Sequence, residues 1–249
     1  MRMKDDHMQN GQLKPGYNVQ VSSESQFVIH YSLHQTTNDL HTLKPHLNTF
    51  ADLYTFFPEQ LTADAGYGSE ENYAFLEEKQ VETYVKYTSF DKENGILKSK
   101  RKKKKQHIDR DKLYYNKEQD KYICPMDQSM YKIRQKKSKT KSGYLQKSSL
   151  YQAQNCSGCA LKGACYKAKS NRIIERNHPL ERQKERARKN LLSEIGVQKR
   201  KQRTAYVEPV FADIKSNRNF KRFTHKGMEK AEFEFGLHAL AHNIRKKSA

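Results

Sequence analysis

From Tyr17 to Tyr87, short runs of β-branched and aromatic residues alternate with helix-type segments, and this order restricts the fold more than any other feature of the chain. Tyr17–Val21 and Phe27–Leu33 predict two strands, and the polar stretch Ser22–Gln26 between them predicts a hairpin turn. Thr37-Asn38-Asp39 supplies cap-type residues, Asp39 among them, for a helix reaching about Phe50, which Pro45 should interrupt or kink. Gln60–Ala63 predicts a third strand, ending at Asp64 before the turn Ala65-Gly66-Tyr67-Gly68. Ser69 then caps a helix over Glu70–Lys79, with Glu70 and Glu71 in the first turn and Tyr73, Phe75 and Leu76 on its apolar side. Thr83–Tyr87 predicts a fourth strand. The order β-β-α-β-α-β places residues 1–86 in the α/β class.

Residues 87–177 differ in texture. They hold every cysteine and the run Lys100–Lys105, six adjacent cations that repel one another and stay solvated. Leu113–Tyr115, Lys121–Cys124 and Tyr131–Ile133 predict short strands of a small, basic, β-rich insertion. Residues 178–249 read as helical. Pro179 suits a first helical position, and Leu180, Ala187 and Leu191 share one face of a helix expected to stop at Gly196. A second helix is expected from Glu208-Pro209, with Phe211 and Ile214 inward. In a third, after Gly227, Phe233, Leu237, Leu240 and Ile244 recur at helical spacing and predict a core-facing stripe.

The 249 residues carry 48 Lys and Arg against 28 Asp and Glu, a formal net charge of +20. Such a field favours a polyanionic partner, and nucleic acid fits best because phosphate neutralisation releases counterions. A membrane partner is not expected: there is no run long and apolar enough to span a bilayer and no amphipathic anchor. The polar stretch Met1–Lys14 shows no secretory signal, so a cytoplasmic location is expected. In that compartment the four cysteines are reduced thiols or metal ligands rather than disulfides.

Two carboxylates stand where chemistry could occur. Asp64 follows a strand, where α/β sheets present reactive groups; it could equally be a turn residue that bonds its own loop. Glu208 opens a helix in Val207-Glu208-Pro209-Val210-Phe211. Lys215 lies seven residues on, two α-helical turns away, and Arg218, Lys221 and Arg222 continue a basic side. This suits a metal ligand beside phosphate contacts, or an ordinary first-turn Glu. Cys124, Cys156, Cys159 and Cys165 could hold a structural tetrahedral zinc or remain free. His238 and His242 lie at i, i+4 without a metalloprotease-type Glu, and read as surface or DNA-facing residues.

Four stretches, in order, resemble the DDE transposases of bacterial insertion sequences: Pro15-Gly16-Tyr17-Asn18-Val19-Gln20; Ala63-Asp64-Ala65-Gly66-Tyr67 with Ser69-Glu70-Glu71-Asn72; Val207-Glu208-Pro209-Val210-Phe211 through Lys215; and Ala241-His242-Asn243-Ile244-Arg245. The resemblance implies an RNase H-like mixed sheet with flanking helices and a cysteine-containing insertion. It implies Asp64 and Glu208 as the family's second Asp and its Glu, holding Mg2+ or Mn2+ for DNA strand cleavage and transfer at element ends. It makes Lys215 a phosphate contact and Arg203 a candidate, five residues before Glu208 where relatives often have four. DNA ends, target DNA and a homodimer are the partners it implies. The family's first Asp has no counterpart here. Asp5 and Asp6 lie in a polar segment, so the reading is of a truncated, inactive copy; the alternative is a non-catalytic DNA-binding protein.

Overall fold

The computed structural model describes residues 16–96 and 108–248. Asp5, Asp6 and the run Lys100–Lys105 lie outside the described residues. The described chain forms two units of mixed α/β structure, one from 16–90 with 184–248 and one within 91–183.

In the first unit β1 (Asn18–Glu24) and β2 (Phe27–His34) form an antiparallel hairpin, with Asn18 opposite His34 and Glu24 opposite Phe27. Ser25 and Gln26 both take positive φ, 49° and 70°, as the tightest hairpin turns require. A single 3-10 turn, Asp39–His41, precedes α1 (Leu43–Tyr54). Asn38, not Asp39, caps that turn by accepting from the Leu40 amide. Pro45 does not interrupt α1. It sits in the first turn, where backbone N–H groups have no helical partner to lose.

Next, β3 (Gln60–Ala63) runs parallel to β4 (Glu82–Val85), joined through α2 (Glu70–Glu78). Ser69 caps α2 as expected, accepting from the Asn72 amide at 3.2 Å. Gly68 is required between them: a Cβ there would stand 2.3 Å from the Lys86 carbonyl oxygen. Among the described residues β1–β2 and β3–β4 are two separate pairs, and no described strand joins them into the single mixed sheet expected. The short helix α3 (Phe90–Glu93) follows.

The β-rich second unit is more regular than its sequence suggests. Five antiparallel strands run in chain order: β5 (Tyr114–Asn116), β6 (Lys121–Ile123), β7 (Ser129–Lys139), β8 (Leu145–Ala153) and β9 (Ile173–Arg176). Its core gathers Leu113, Tyr122, Met130, Tyr151, Ala153 and Ile174. The eleven-residue β7 extends well past Tyr131–Ile133 through pairing with β8, and its outer half escapes sequence reading because it lacks the apolar alternation that marks a half-buried strand.

The boundary at 184 falls inside α4 (His178–Leu192), whose Leu191 packs with Tyr84, Tyr87 and Phe90. Gly196 does not end this helix. Ser193 caps a further helix, α5 (Glu194–Tyr206), by accepting from the Gly196 amide at 3.0 Å. Gly196 is needed there because a Cβ would meet the Asn190 carbonyl oxygen at 1.9 Å. α6 (Glu208–Ala212) runs into a π-helical turn, Asp213–Asn217, and the described chain closes with α7 (Met228–Ser248). Val210, Ile214, Ala231, Phe235 and Ala239 pack on Val28 and Leu33 of the hairpin. Val210, rather than Phe211, points fully inward. The expected stripe of α7 faces the other way: Phe233, Leu237, Leu240 and Ile244 are exposed, and the core face is Ala231, Phe235, Ala239 and His242.

Candidate active site and nucleic-acid interface

Asp64 stands at the C-terminal end of β3 with its side chain 61% exposed. One carboxylate oxygen accepts from the Ala65 amide at 2.8 Å, which is the local turn role. The other lies 3.4 Å from Nη2 of Arg203, in the last turn of α5. The fold therefore brings Asp64 and Arg203 together, although they are 139 residues apart in the chain.

Behind this pair lies a polar cluster that the sequence reading passed over. Asn18 and Gln20, two residues apart on one face of β1, donate to Asp39 Oδ1 at 2.7 and 3.3 Å. Gln20 is buried and accepts from the Tyr67 hydroxyl. Burial, then the carboxylates of Asp39 and Asp64, push the Tyr67 phenol far above its ordinary range, with Arg203 opposing. The signal available in the sequence was the pair of amide side chains alternating with Val19 and Val21 along β1.

Glu208 opens α6 and is exposed, with no hydrogen-bond or ion-pair partner for its side chain among the described residues. Lys215 lies in the π turn, so its seven-residue spacing from Glu208 no longer equals two α-helical turns. Its ammonium stands over the Phe211 ring, 5.2 Å from the centroid. Lys221 and Arg222 are exposed in the loop after the π turn. Arg218 is held internally: it donates to Asp213 Oδ2 at 3.0 Å and to the Ala241 carbonyl at 2.7 Å.

Asp213 is the centre of a buried network. It also accepts from Asn217, from Arg245 at 2.9 Å and from Nδ1 of His242 at 2.8 Å. Burial alone would raise its pKa, but the bonds from His242, Arg218 and Asn217 outweigh it and hold the carboxyl far below the usual range. His242 is therefore neither a surface nor a DNA-facing residue. It is 7% exposed, and Nε2 lies 2.8 Å from the Gln26 carbonyl oxygen. The neighbouring Asn243 grips both the amide and the carbonyl of Val28 at 2.8 Å. The C-terminal motif thus fastens α7 to the hairpin.

In the second unit Cys124, Cys156, Cys159 and Cys165 line one pocket. Amides of Met126 and Gln128 donate to Cys124 Sγ, and Arg172 donates to Cys165 Sγ at 2.7 Å. Among the described residues no three His, Cys, Asp or Glu side chains form a group that could hold a metal ion. The zinc expectation therefore gains no support, and the carboxylates, as placed, do not make a complete magnesium site either.

The same unit, expected to be basic, concentrates its cations on a ribbon that the sequence did not delimit. Beyond Lys132, β7 is paired by β8 alone, and β8 before Ser149 by β7 alone, which leaves a two-stranded ribbon. Lys132 and Lys136 pair with Asp120 and Glu175 at 3.2 Å. Arg134, Lys137, Lys139, Lys141 and Lys147 are exposed, with no acidic partner among the described residues. Lysines do blunt an open strand edge against aggregation. A two-stranded ribbon is also of a width that the DNA major groove admits.

Compared with known protein families, residues 123–247 match the family described as the transposase DDE domain, half of the chain. The chain belongs to the DDE transposase family. The match includes Glu208, Lys215, the cysteines and the α7 motif; Asp64 lies before it. No curated protein and no solved structure matches the chain. Membership implies DNA as the substrate and, for the family in general, divalent metal. Among the described residues no helix is long and apolar enough to cross a membrane.

Proposed function

We propose that this DDE transposase chain supplies the RNase H-like part of an insertion-sequence transposase, with Asp64 and Glu208 as its second Asp and its Glu. The observation that carries this reading is the Arg203–Asp64 ion pair. It ties the carboxylate at the end of β3 to α5, the helix directly preceding Glu208. Magnesium or manganese would draw on these carboxylates and supply an activated water and a stabilised leaving oxygen. As described, two carboxylates, one of them faced by a guanidinium, do not fit such a site alone, so no step is derived through a metal. Arg203 would screen Asp64 until substrate or metal displaces it, and Lys215, Lys221 and Arg222 would hold phosphates. The unit within 91–183 is read as a DNA-binding insertion.

A second reading, a DNA-binding protein without strand cleavage, is favoured because no three His, Cys, Asp or Glu side chains among the described residues form a group that could hold a metal ion. A nicking assay on supercoiled DNA with magnesium or manganese separates the two, with Asp64→Ala and Glu208→Ala proteins alongside. Nicking lost in both variants supports the catalytic reading. DNA binding without nicking in the parent chain supports the second.

A further inference from the structure

Arg172, the residue just before β9, is 6% exposed, and among the described residues its guanidinium has no carboxylate partner. It donates instead to the Ile108 carbonyl at 3.0 Å and to Cys165 Sγ at 2.7 Å. A guanidinium stays charged at physiological pH, and taking it out of water without an opposite charge is costly. Of its two acceptors only the sulfur can carry that charge. The Arg172 amide also donates to Cys156 Sγ, at 3.4 Å, so one residue touches two of the four cysteines that line the pocket. All four are free and partly exposed, within reach of small solutes.

We propose that Cys165 is a reactive thiolate paired with Arg172, that Cys156 is its resolving partner, and that the pocket is a site of reversible oxidation by hydroperoxides. Donors aimed at a sulfur favour its thiolate, the form that attacks electrophiles, and a charged guanidinium is a stronger donor than an amide. With hydrogen peroxide, the Cys165 sulfur attacks one oxygen and the O–O bond breaks. The leaving oxygen takes a proton from solvent and departs as water, and the sulfur is oxidised to a sulfenic acid. The Cys156 thiol then attacks that sulfur. The S–O bond breaks, and the hydroxyl leaves with the Cys156 proton as a second water. Two thiols have become one disulfide, and one peroxide has been reduced to two waters. Residues 154–172 join β8 to β9 without a helix or strand, so this loop can adjust to an S–S bond of about 2 Å. The disulfide carries no charge. Oxidation therefore strips Arg172 of its counter-charge and should loosen the loop around it. None of this chemistry draws on Asp64 or Glu208.

Peptide mapping of the reduced full chain after one equivalent of hydrogen peroxide tests this, with the remaining thiols blocked by iodoacetamide before trypsin digestion. Trypsin places Cys165 on the peptide 163–167 and Cys156 with Cys159 on the peptide 148–162. The expected product is 163–167 joined to 148–162 through Cys156, and it should persist in a Cys159→Ser protein. Arg172→Gln should slow the peroxide reaction at Cys165 about ten-fold, while Arg172→Lys, which keeps the charge, should retain most of the rate. The proposal is overturned if Cys165 is oxidised no faster than the other three cysteines, or if its disulfide forms with Cys124 or Cys159. A folded Arg172→Gln protein as reactive as the parent, or a tightly bound metal that shields all four thiols, would overturn it equally. The mapping needs only the parent chain, so a variant that does not fold leaves the test intact.

Discussion

Asp213 drew no attention in the sequence, yet it bears more polar bonds than either proposed catalytic residue. Its partners, His242, Arg218 and Arg245, come from α7 and from the end of the π turn, so one carboxylate joins two elements to the hairpin. Removing it leaves the largely covered Arg218 guanidinium without its counter-charge. Asp213→Ala should cost about 3–5 kcal/mol in urea unfolding. Glu234 is a second buried carboxylate. Burial opposes its ionisation, but bonds from Thr224 and His225 lower its pKa from 4.5 to about 2. Its stabilisation is complete above pH 4.5 and disappears as pH falls toward 2, because the unfolded chain takes up the proton first. Glu234→Gln should flatten the acid unfolding curve within that window. His46 has the opposite charge chemistry and the same sign. Burial, and then the imidazoles of His30 and His34, hold its pKa at about 3 against an ordinary 6.5. Stability should therefore begin to fall below pH 6.5, where only the unfolded His46 protonates, and His46→Gln should remove that part of the slope in pH-dependent melting.

At the scale of elements, the close approaches are fixed by glycine and the exposed ribbon by charge. Gly68 lets the chain turn from β3 into α2 against the Lys86 carbonyl, and Gly68→Ala would force that backbone apart. A loss of 1–3 kcal/mol, on the order expected for overpacking, should appear in denaturant melts. The β7–β8 ribbon is the strongest candidate for a sequence-independent DNA contact. Replacing Lys137, Lys139 and Lys147 by Ala together should lower the slope of log K against log salt by about 0.9 per lost phosphate contact. An unchanged slope in a fluorescence-anisotropy titration would remove the ribbon from the interface. Local sequence signals placed β1, β2, β3, α2 and β4 within a few residues, because β-branched and aromatic runs, caps and turn residues mark each of them. It could not place the outer half of β7. Those residues are exposed on both faces, and only pairing with β8 makes them a strand.

For the whole molecule, net charge sets the DNA affinity before any specific contact is made. With a formal +20, binding to duplex of arbitrary sequence should weaken steeply with salt, by about 10³-fold between 50 and 200 mM if six or more phosphates are engaged. A shallow dependence would mean that the cations are occupied internally, as Arg218 is. The two units have separate cores, one built on the hairpin with α6 and α7 and the other on Tyr122, Met130, Tyr151 and Ile174. The sequence anticipated a basic, β-rich stretch between the proposed carboxylates. The candidate zinc set already required the four cysteines to converge, and they line one pocket; what the sequence did not anticipate is Arg172 against a sulfur.

By itself the sequence determined the α/β class, the order of the first unit's elements, the partner's charge and the positions of Asp64 and Glu208. These follow from local periodicity, cap chemistry and formal charge, all of which are properties of neighbours along the chain. Tertiary structure alone decided which polar residues are buried, which face of α7 meets the core, and that Arg203 meets Asp64. Along α7 both faces are apolar enough to pack, the one with Ala231, Phe235 and Ala239 and the other with Phe233, Leu237 and Leu240. Only the fit of small residues and His242 against the hairpin chose between them. Local spacing cannot carry that choice, because it depends on the shape and hydrogen-bonding groups of residues some two hundred positions away.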